Sequence, residues 1–204
     1  MHDTELPIDR FECLFDTAST QWGYFTSAQA RDCGFSSALL SFHTRSGRFI
    51  RVHHGTYRLR DYPSMPREEV VAAWLAAGKD TAVISHESAL ELLDLSDVVP
   101  SAVHLTIPRE KRYLSRMPDT IVHTTVEPLT RRDTVVREGI RLTTPARSIV
   151  DAAEWGTAPE QIVMAVRQAI DRRMTTPERL TEAVKGHSHR VRDLVEAGIE
   201  AANE

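Results

Sequence analysis

The apolar positions of the first fifty residues predict short helices. Apolar side chains recur at helical spacing over residues 11–18 and predict a first amphipathic helix. A short extended pair at residues 24–25 follows it. Thr26, followed three residues later by Gln29, is a capping box, so a second helix is predicted to start at Thr26 and to end at Gly34.

A third helix is predicted over residues 37–46. Ser36 and Ser37 offer capping hydroxyls, and Gly47 stands where a left-handed residue closes a helix. At 100° per residue we expect the inward side to carry Phe35, Ala38, Leu39, Phe42 and Ser46. The outward side is then expected to carry Ser37, Leu40, Ser41 and Thr44.

The alternation of residues 49–53 and 56–60 around His54-Gly55 predicts a β-hairpin. A two-residue loop places Ile50 opposite Leu59, Val52 opposite Tyr57, His53 opposite Thr56, and Arg51 opposite Arg58. Two facing arginines repel each other, and phosphate oxygens between them would remove that repulsion. The alternative is that both side chains extend into solvent.

Three helices followed by a basic hairpin predict a winged helix-turn-helix over residues 1–62. Pro63-Ser64-Met65-Pro66 is the predicted linker. Residues 67–204 combine several helical patterns with extended runs at 103–107, 121–126, 135–136 and 140–142. The predicted fold class is therefore α+β, with a helix-rich second domain that contains a small mixed or antiparallel sheet.

The charge distribution favours nucleic-acid binding by the first domain. The whole chain has a formal charge of −4, yet residues 23–60 hold six arginines against one aspartate. A short basic block in an acidic protein is typical of a small DNA-binding module. A solvated charged face is the alternative explanation.

Residues 20–60 resemble the N-terminal domain of AbiEi-type antitoxins of type IV toxin–antitoxin systems. The most specific stretch is Ser-Gly-Arg-x-x-Arg-Val-x-x-Gly-x-Tyr-Arg-Leu, which begins at Ser46. The resemblance implies repression of the protein's own operon, with binding to operator DNA as a dimer or cooperatively. The predicted helix and wing then supply the DNA contacts, which we expect from Thr26, Gln29, Ser36, Ser37, Ser41, His43, Thr44, Arg45, Arg48, Arg51, His53, His54 and Arg58.

The second domain resembles the AbiEi C-terminal domain at residues 83–90, 103–109 and 142–153. The resemblance implies that this domain neutralises a cognate nucleotidyltransferase-like toxin. The candidate toxin-directed residues are His86, Arg109, Arg147 and Asp151. His86, Glu87, Arg147 and Asp151 could also form an enzyme site that modifies the toxin. The simpler interpretation is that Ser85 and His86 cap a helix while Arg147 pairs with Asp151.

No cofactor or metal site is predicted. The pairs His53-His54 and His187/His189 lack a cysteine or carboxylate at ligand spacing. Cys13 and Cys33 are expected to be reduced, buried small side chains, because residues 1–5 do not resemble a secretion signal and the protein is expected in the cytoplasm. The alternative function is a winged-helix regulator without a toxin, whose second domain senses a ligand or mediates assembly.

Overall fold

The computed structural model describes residues 9–114 and 117–203. Residues 1–8, on which the expectation about a secretion signal rests, lie outside the described part of the chain. The fold divides into two compact units, the first formed by residues 1–79 with 138–140 and the second by residues 80–137 with 141–204. None of the helices described is long and apolar enough to cross a membrane.

The first unit contains the predicted order of three helices and a hairpin. Its elements are α1 (Arg10–Ser19), β1 (Tyr24–Thr26), α2 (Ser27–Asp32), α3 (Ser37–Arg45), β2 (Phe49–His53), β3 (Thr56–Leu59) and α4 (Glu68–Ala77). The three strands form an antiparallel sheet in the order β1-β3-β2. The hairpin β2–β3 is the wing that follows the helix-turn-helix α2–α3.

The ends of α2 and α3 are set by caps that the sequence predicts. The Thr26 hydroxyl accepts a hydrogen bond from the Gln29 amide, and the Gln29 side chain accepts one from the Thr26 amide, which completes the capping box. The Ser36 hydroxyl accepts from the Leu39 amide at the start of α3. Gly47 follows α3 with a φ of +79°, which a residue without Cβ adopts without strain.

The inward face of α3 differs from the predicted one. Leu40 and His43 are buried, whereas Ala38 and Phe42 are exposed, Phe42 at 56%. The His43 ring makes edge contacts with Phe11 and Phe35, at 5.2 and 5.9 Å between centroids. The packing of His43 in this aromatic cluster sets the rotation of α3 about its axis. Because Leu39 and Leu40 are adjacent, the apolar spacing alone does not show which of them faces inward.

The register of the wing is also different. Arg51 lies opposite Tyr57, and Arg58 lies opposite Ile50, because an irregularity between Arg51 and His53 adds one residue to β2. Only the pairing of His53 with Thr56 is as predicted. The expected Arg51–Arg58 pair was therefore wrong, and the two side chains lie in different environments.

Arg58 is buried and joins the wing to α4. Its Nη2 lies 2.9 Å from the Tyr62 carbonyl oxygen, 3.3 Å from the Ser64 hydroxyl and 3.1 Å from a Glu68 carboxylate oxygen. Its side chain retains only 8% of its accessible surface. Helix α4 accordingly belongs to the first unit, which extends through Lys79 instead of ending at the predicted linker over residues 63–66.

A disulfide joins Cys13 of α1 to Cys33 at the end of α2, which corrects the expectation of two reduced thiols. Their Cα atoms are 5.6 Å apart, within the range that a disulfide can bridge. The packing of α1 against α2 brings the two cysteines together. A sequence separation of 20 residues carries no such information.

The second unit is a mixed sheet with helices, as the predicted fold class requires. Its strands are β4 (Val83–Ile84), β5 (Val103–Pro108), β6 (Thr120–Thr125), β7 (Thr134–Arg137) and β8 (Ile140–Thr143), arranged in the order β6-β5-β4-β8-β7. Strand β4 runs antiparallel to β5 and parallel to β8, and β5 runs parallel to β6. Its helices are α5 (His86–Leu92), α6 (Pro145–Trp155), α7 (Pro159–Asp171), α8 (Pro177–Ala183) and α9 (His189–Ala201).

We predict that Arg58→Ala destabilises the first unit by about 3 kcal/mol, because it leaves the half-buried Glu68 carboxylate without its cationic partner. Equilibrium unfolding in urea measures the loss. Arg51→Ala is the matched control, since Arg51 is an exposed arginine of the same hairpin and its loss should change stability by no more than about 0.5 kcal/mol. An Arg58→Ala protein as stable as the wild type would contradict the structural role of Arg58.

Candidate functional site

The exposed face of α3 carries small hydroxyl and apolar side chains. Ser37, Ser41 and Arg45 recur at intervals of four residues and are exposed, as are Ala38 and Phe42 beside them. The second helix of a helix-turn-helix is the one that enters the major groove of DNA. Hydroxyl groups can hydrogen-bond base edges, and apolar groups can contact the thymine methyl, so this face can distinguish bases only modestly.

Exposed cationic side chains surround this face. Arg45 ends α3, Arg48 lies in the turn that follows, and Arg51 lies on β2. Arg51 contacts the ring of the exposed His54, with 3.2 Å between Nη2 and Nδ1. The guanidinium of Arg48 lies 4.9 Å from the centroid of the Phe11 ring. These groups can bind the phosphate backbone, where arginine contacts position a protein without reading the sequence.

Two predicted DNA-binding residues are not available on the surface. Arg58 is held by the carbonyl and carboxylate oxygens described above, and His43 is buried in the aromatic cluster. Burial lowers the pKa of His43, and the nearby Arg48 lowers it further. The ring of His43 is therefore neutral near pH 7 and is not suited to binding a phosphate.

Four further predicted residues use their polar atoms within the helices. Thr26, Gln29 and Ser36 cap α2 and α3, and Gln29 also exchanges hydrogen bonds with Gln21. The Thr44 hydroxyl donates to the Leu40 carbonyl oxygen at 2.8 Å. These side chains set the position of α3, and the exposed Ser37 and Ser41 carry its free hydroxyls.

Sequence reasoning missed two exposed arginines of the same unit. Arg31 lies in the last turn of α2, and Arg60 lies just after β3 with its guanidinium against the Gly47 carbonyl oxygen. Both belong to the basic block of residues 23–60, so the charge count contained the signal. Phe42 was missed for another reason, since the helix was predicted with the wrong rotation.

In the second unit, Arg147 and Asp151 of α6 form the ion pair that the simpler reading predicts. Arg147 Nε lies 2.7 Å from one oxygen of Asp151. Burial raises the pKa of Asp151, although the charge of Arg147 opposes the rise. The second carboxylate oxygen of Asp151 has no hydrogen-bond partner among the residues described.

The remaining toxin-directed candidates lie in unlike environments. Arg109 is exposed in a short 3₁₀ turn after β5. Arg147 lines a cleft of the second unit whose other arginines are Arg131, Arg132 and Arg179. His86 is buried at the first position of α5, where it adopts a left-handed backbone with a φ of +54°.

A cluster of histidines surrounds His86 and was not predicted. Among the residues described, His86, His104 and His123 form the one group of three potential metal ligands, with their ligand atoms all within 4.8 Å of one another. The expected cap by Ser85 is absent, because its hydroxyl lies 2.8 Å from His86 Nδ1 instead of binding the helix backbone. The three histidines are far apart in the sequence, and no spacing pattern links them. The pairing of β5 with β6 and the packing of α5 bring them together.

Comparisons with known proteins agree with the geometry of the first unit. Residues 14–60 match a family model described as "Transcriptional regulator, AbiEi antitoxin". The match runs from α1 through the end of β3, so it coincides with the winged helix. It confirms the resemblance over this segment, and the matched description is that of a transcriptional regulator.

A solved structure shares the fold of both units. The RV2827C protein from Mycobacterium tuberculosis is similar with a TM-score of 0.59 and 14% sequence identity, over 93% of this chain and 77% of that one. At this identity the similarity shows the fold alone, and it confirms the predicted α+β class. No curated protein sequence matches the chain.

Proposed function

We propose that this protein is the antitoxin of a bacterial type IV toxin–antitoxin system. Its winged helix binds operator DNA and represses its own operon, and its second unit counters a nucleotidyltransferase-like toxin. The observation that carries the proposal is the family match, which covers the winged helix whose α3 and β2 expose Arg45 and Arg51. Both proposed activities take place in the cytoplasm, and neither requires this protein to catalyse a reaction.

The DNA-binding mode follows from the side chains of α3. With Ser37, Ala38, Ser41 and Phe42 toward the major groove, the helix offers no bidentate partner for a purine. The affinity then rests on phosphate contacts from Arg45, Arg48, Arg51, His53 and His54, with Arg31 and Arg60 as further candidates. Modest discrimination comes from the two serine hydroxyls and from apolar contact with thymine methyl groups.

The toxin-directed role belongs to the second unit. Arg109 and Arg147 are its accessible candidates, and the cleft that Arg147 lines, where four arginines outnumber Asp133 and Glu182, fits an acidic partner surface. His86 and Asp151 are buried, so their contribution is to hold the surrounding structure. The family match ends at residue 60, and the resemblance at residues 83–90, 103–109 and 142–153 supports this part of the proposal.

We predict that Arg45→Ala with Arg51→Ala weakens binding to the DNA upstream of the gene and reduces the salt dependence. Each lost phosphate contact should lower the slope of log K against log salt by about 0.9, so the double variant should lose nearly 2. Gel shifts over a series of salt concentrations measure both effects. The loss should be similar for operator and unrelated DNA, since phosphate contacts carry no sequence information.

The matched control is Arg167→Ala, which removes an exposed arginine from the second unit. Its DNA affinity and salt slope should equal those of the wild type. If the double variant binds DNA with an unchanged slope, the assignment of α3 and β2 as the DNA-binding surface is wrong.

A second prediction separates DNA binding from toxin neutralisation. In cells that express the proposed cognate nucleotidyltransferase-like toxin, the full chain should restore growth. The Arg45→Ala/Arg51→Ala variant should restore growth equally, because neutralisation is assigned to the second unit, but it should no longer repress a reporter driven by the operon's promoter.

Two results would contradict this division of labour. If the variant neither restores growth nor represses the reporter, the protein counters the toxin only by repressing transcription of the operon. If the wild type represses the reporter and never restores growth, the chain is a winged-helix regulator without a toxin.

A further inference from the structure

Three imidazoles from separate elements of the second unit meet at one point. His104 comes from the buried strand β5, His123 from the neighbouring parallel strand β6, and His86 from the start of α5. The His86 and His123 rings are stacked, with centroids 3.5 Å apart and an interplanar angle of 12°. His104 Nδ1 lies 3.0 Å from His123 Nε2.

The spacing of the nitrogens is close to that of a zinc site. At a Zn–N distance of about 2.0–2.1 Å, tetrahedral ligand atoms lie roughly 3.3 Å apart. The contact between His104 and His123 already has this spacing within a few tenths of an ångström, and all three ligand atoms lie within 4.8 Å. The His86 ring is stacked on His123, so it has to rotate out of the stack to direct a nitrogen at the same ion.

Polar groups lie beside the cluster where outer-shell partners of metal ligands are found, and one of them is within hydrogen-bond distance of a ring. The Ser85 hydroxyl accepts from the Thr106 hydroxyl and contacts His86 Nδ1, both at 2.8 Å, which leaves His86 Nε2 for an ion. A Glu87 carboxylate oxygen lies 3.9 Å from His104 Nε2, on the ring edge away from His123. Glu87 is in turn fixed by the Thr157 hydroxyl at 2.7 Å.

Without a bound ion, burying three imidazole rings costs desolvation free energy that few contacts offset. One hydrogen bond links His104 to His123, and the third ring, stacked on His123, bonds to the Ser85 hydroxyl among the residues that the structure describes. Apolar side chains of similar volume would fill a buried position beside β5 without any desolvation of ring nitrogens. A shared cation explains why three imidazoles converge.

We propose that His86, His104 and His123 bind one divalent transition-metal ion of the zinc class. Three imidazole ligands suit zinc, cobalt, nickel and copper, and they discriminate against magnesium and calcium, which prefer oxygen. The fourth coordination position is left for water or for a group of a partner. The site does not depend on the proposed antitoxin function.

Trp155 provides a reporter for the ion. Its ring lies perpendicular to the three imidazoles, at 4.9 Å from His123, 5.5 Å from His104 and 6.5 Å from His86. It is half exposed, so it covers the cluster on one side without closing it off. Binding of an ion should change the fluorescence of Trp155.

The test is calorimetric titration of the untagged full chain, first stripped with a chelator, with Zn²⁺ and separately with Mg²⁺. We expect one Zn²⁺ per chain, no saturable Mg²⁺ binding, and visible absorption bands typical of a tetrahedral site when Co²⁺ is used. His123→Ala should lower the Zn²⁺ affinity at least about tenfold, since loss of an outer-shell partner alone costs this much. Trp155→Phe should bind Zn²⁺ and lose the fluorescence change.

The exposed His189 supplies the matched control, and His189→Ala should bind Zn²⁺ like the wild type. His123→Gln is the second variant in case His123→Ala does not fold, and circular dichroism checks both. The proposal is overturned if the folded wild type shows no saturable Zn²⁺ binding, if a folded His123 variant binds as tightly as the wild type, or if His189→Ala removes the binding.

Discussion

The buried guanidinium of Arg58 is the interaction on which the first unit depends. It bonds to the Tyr62 carbonyl oxygen, the Ser64 hydroxyl and the Glu68 carboxylate, and so ties the central strand β3 to α4. Strand β3 directs the Arg58 side chain inward. Arg51, which precedes the bulge in β2, is exposed. The two arginines that the sequence placed face to face thus have different tasks, one inside the unit and one on its surface.

The basic side chains of the first unit are concentrated in one segment of the chain. The chain is acidic overall, while residues 23–60 hold six arginines, of which five are exposed around α3 and the wing. These exposed arginines attract phosphate, and the hydroxyl and apolar face of α3 adds modest selectivity. The second unit has a different character, with a buried histidine cluster and a cleft lined by arginines. Its proposed work on a toxin and its proposed metal ion are separate hypotheses, the first resting on the accessible Arg109 and Arg147 and the second on His86, His104 and His123.

Local patterns in the sequence were sufficient to predict most helices and strands of the first unit. They were insufficient to predict how these elements pack against one another. The capping box of Thr26 and Gln29 and the glycine after α3 act within a few residues, and both were predicted correctly. The rotation of α3 depends on where His43 meets Phe11 and Phe35, and the hairpin register depends on a bulge. The Cys13–Cys33 bond and the meeting of His86, His104 and His123 require tertiary contacts between distant segments. A single sequence gives no direct evidence of such contacts, so the residues were visible and their association was not.

The central claim is that α3 and β2 form the DNA-binding surface while Arg58 remains inside. Amide chemical-shift mapping of the isotope-labelled full chain, titrated with the DNA upstream of its gene, tests this claim most directly. The account predicts the largest shifts at Ser37, Ser41, Arg45 and Arg51, with little change at the Arg58 side-chain Nε or along α4. Shifts concentrated around Arg109 and Arg147 of the second unit, with α3 unaffected, would contradict it.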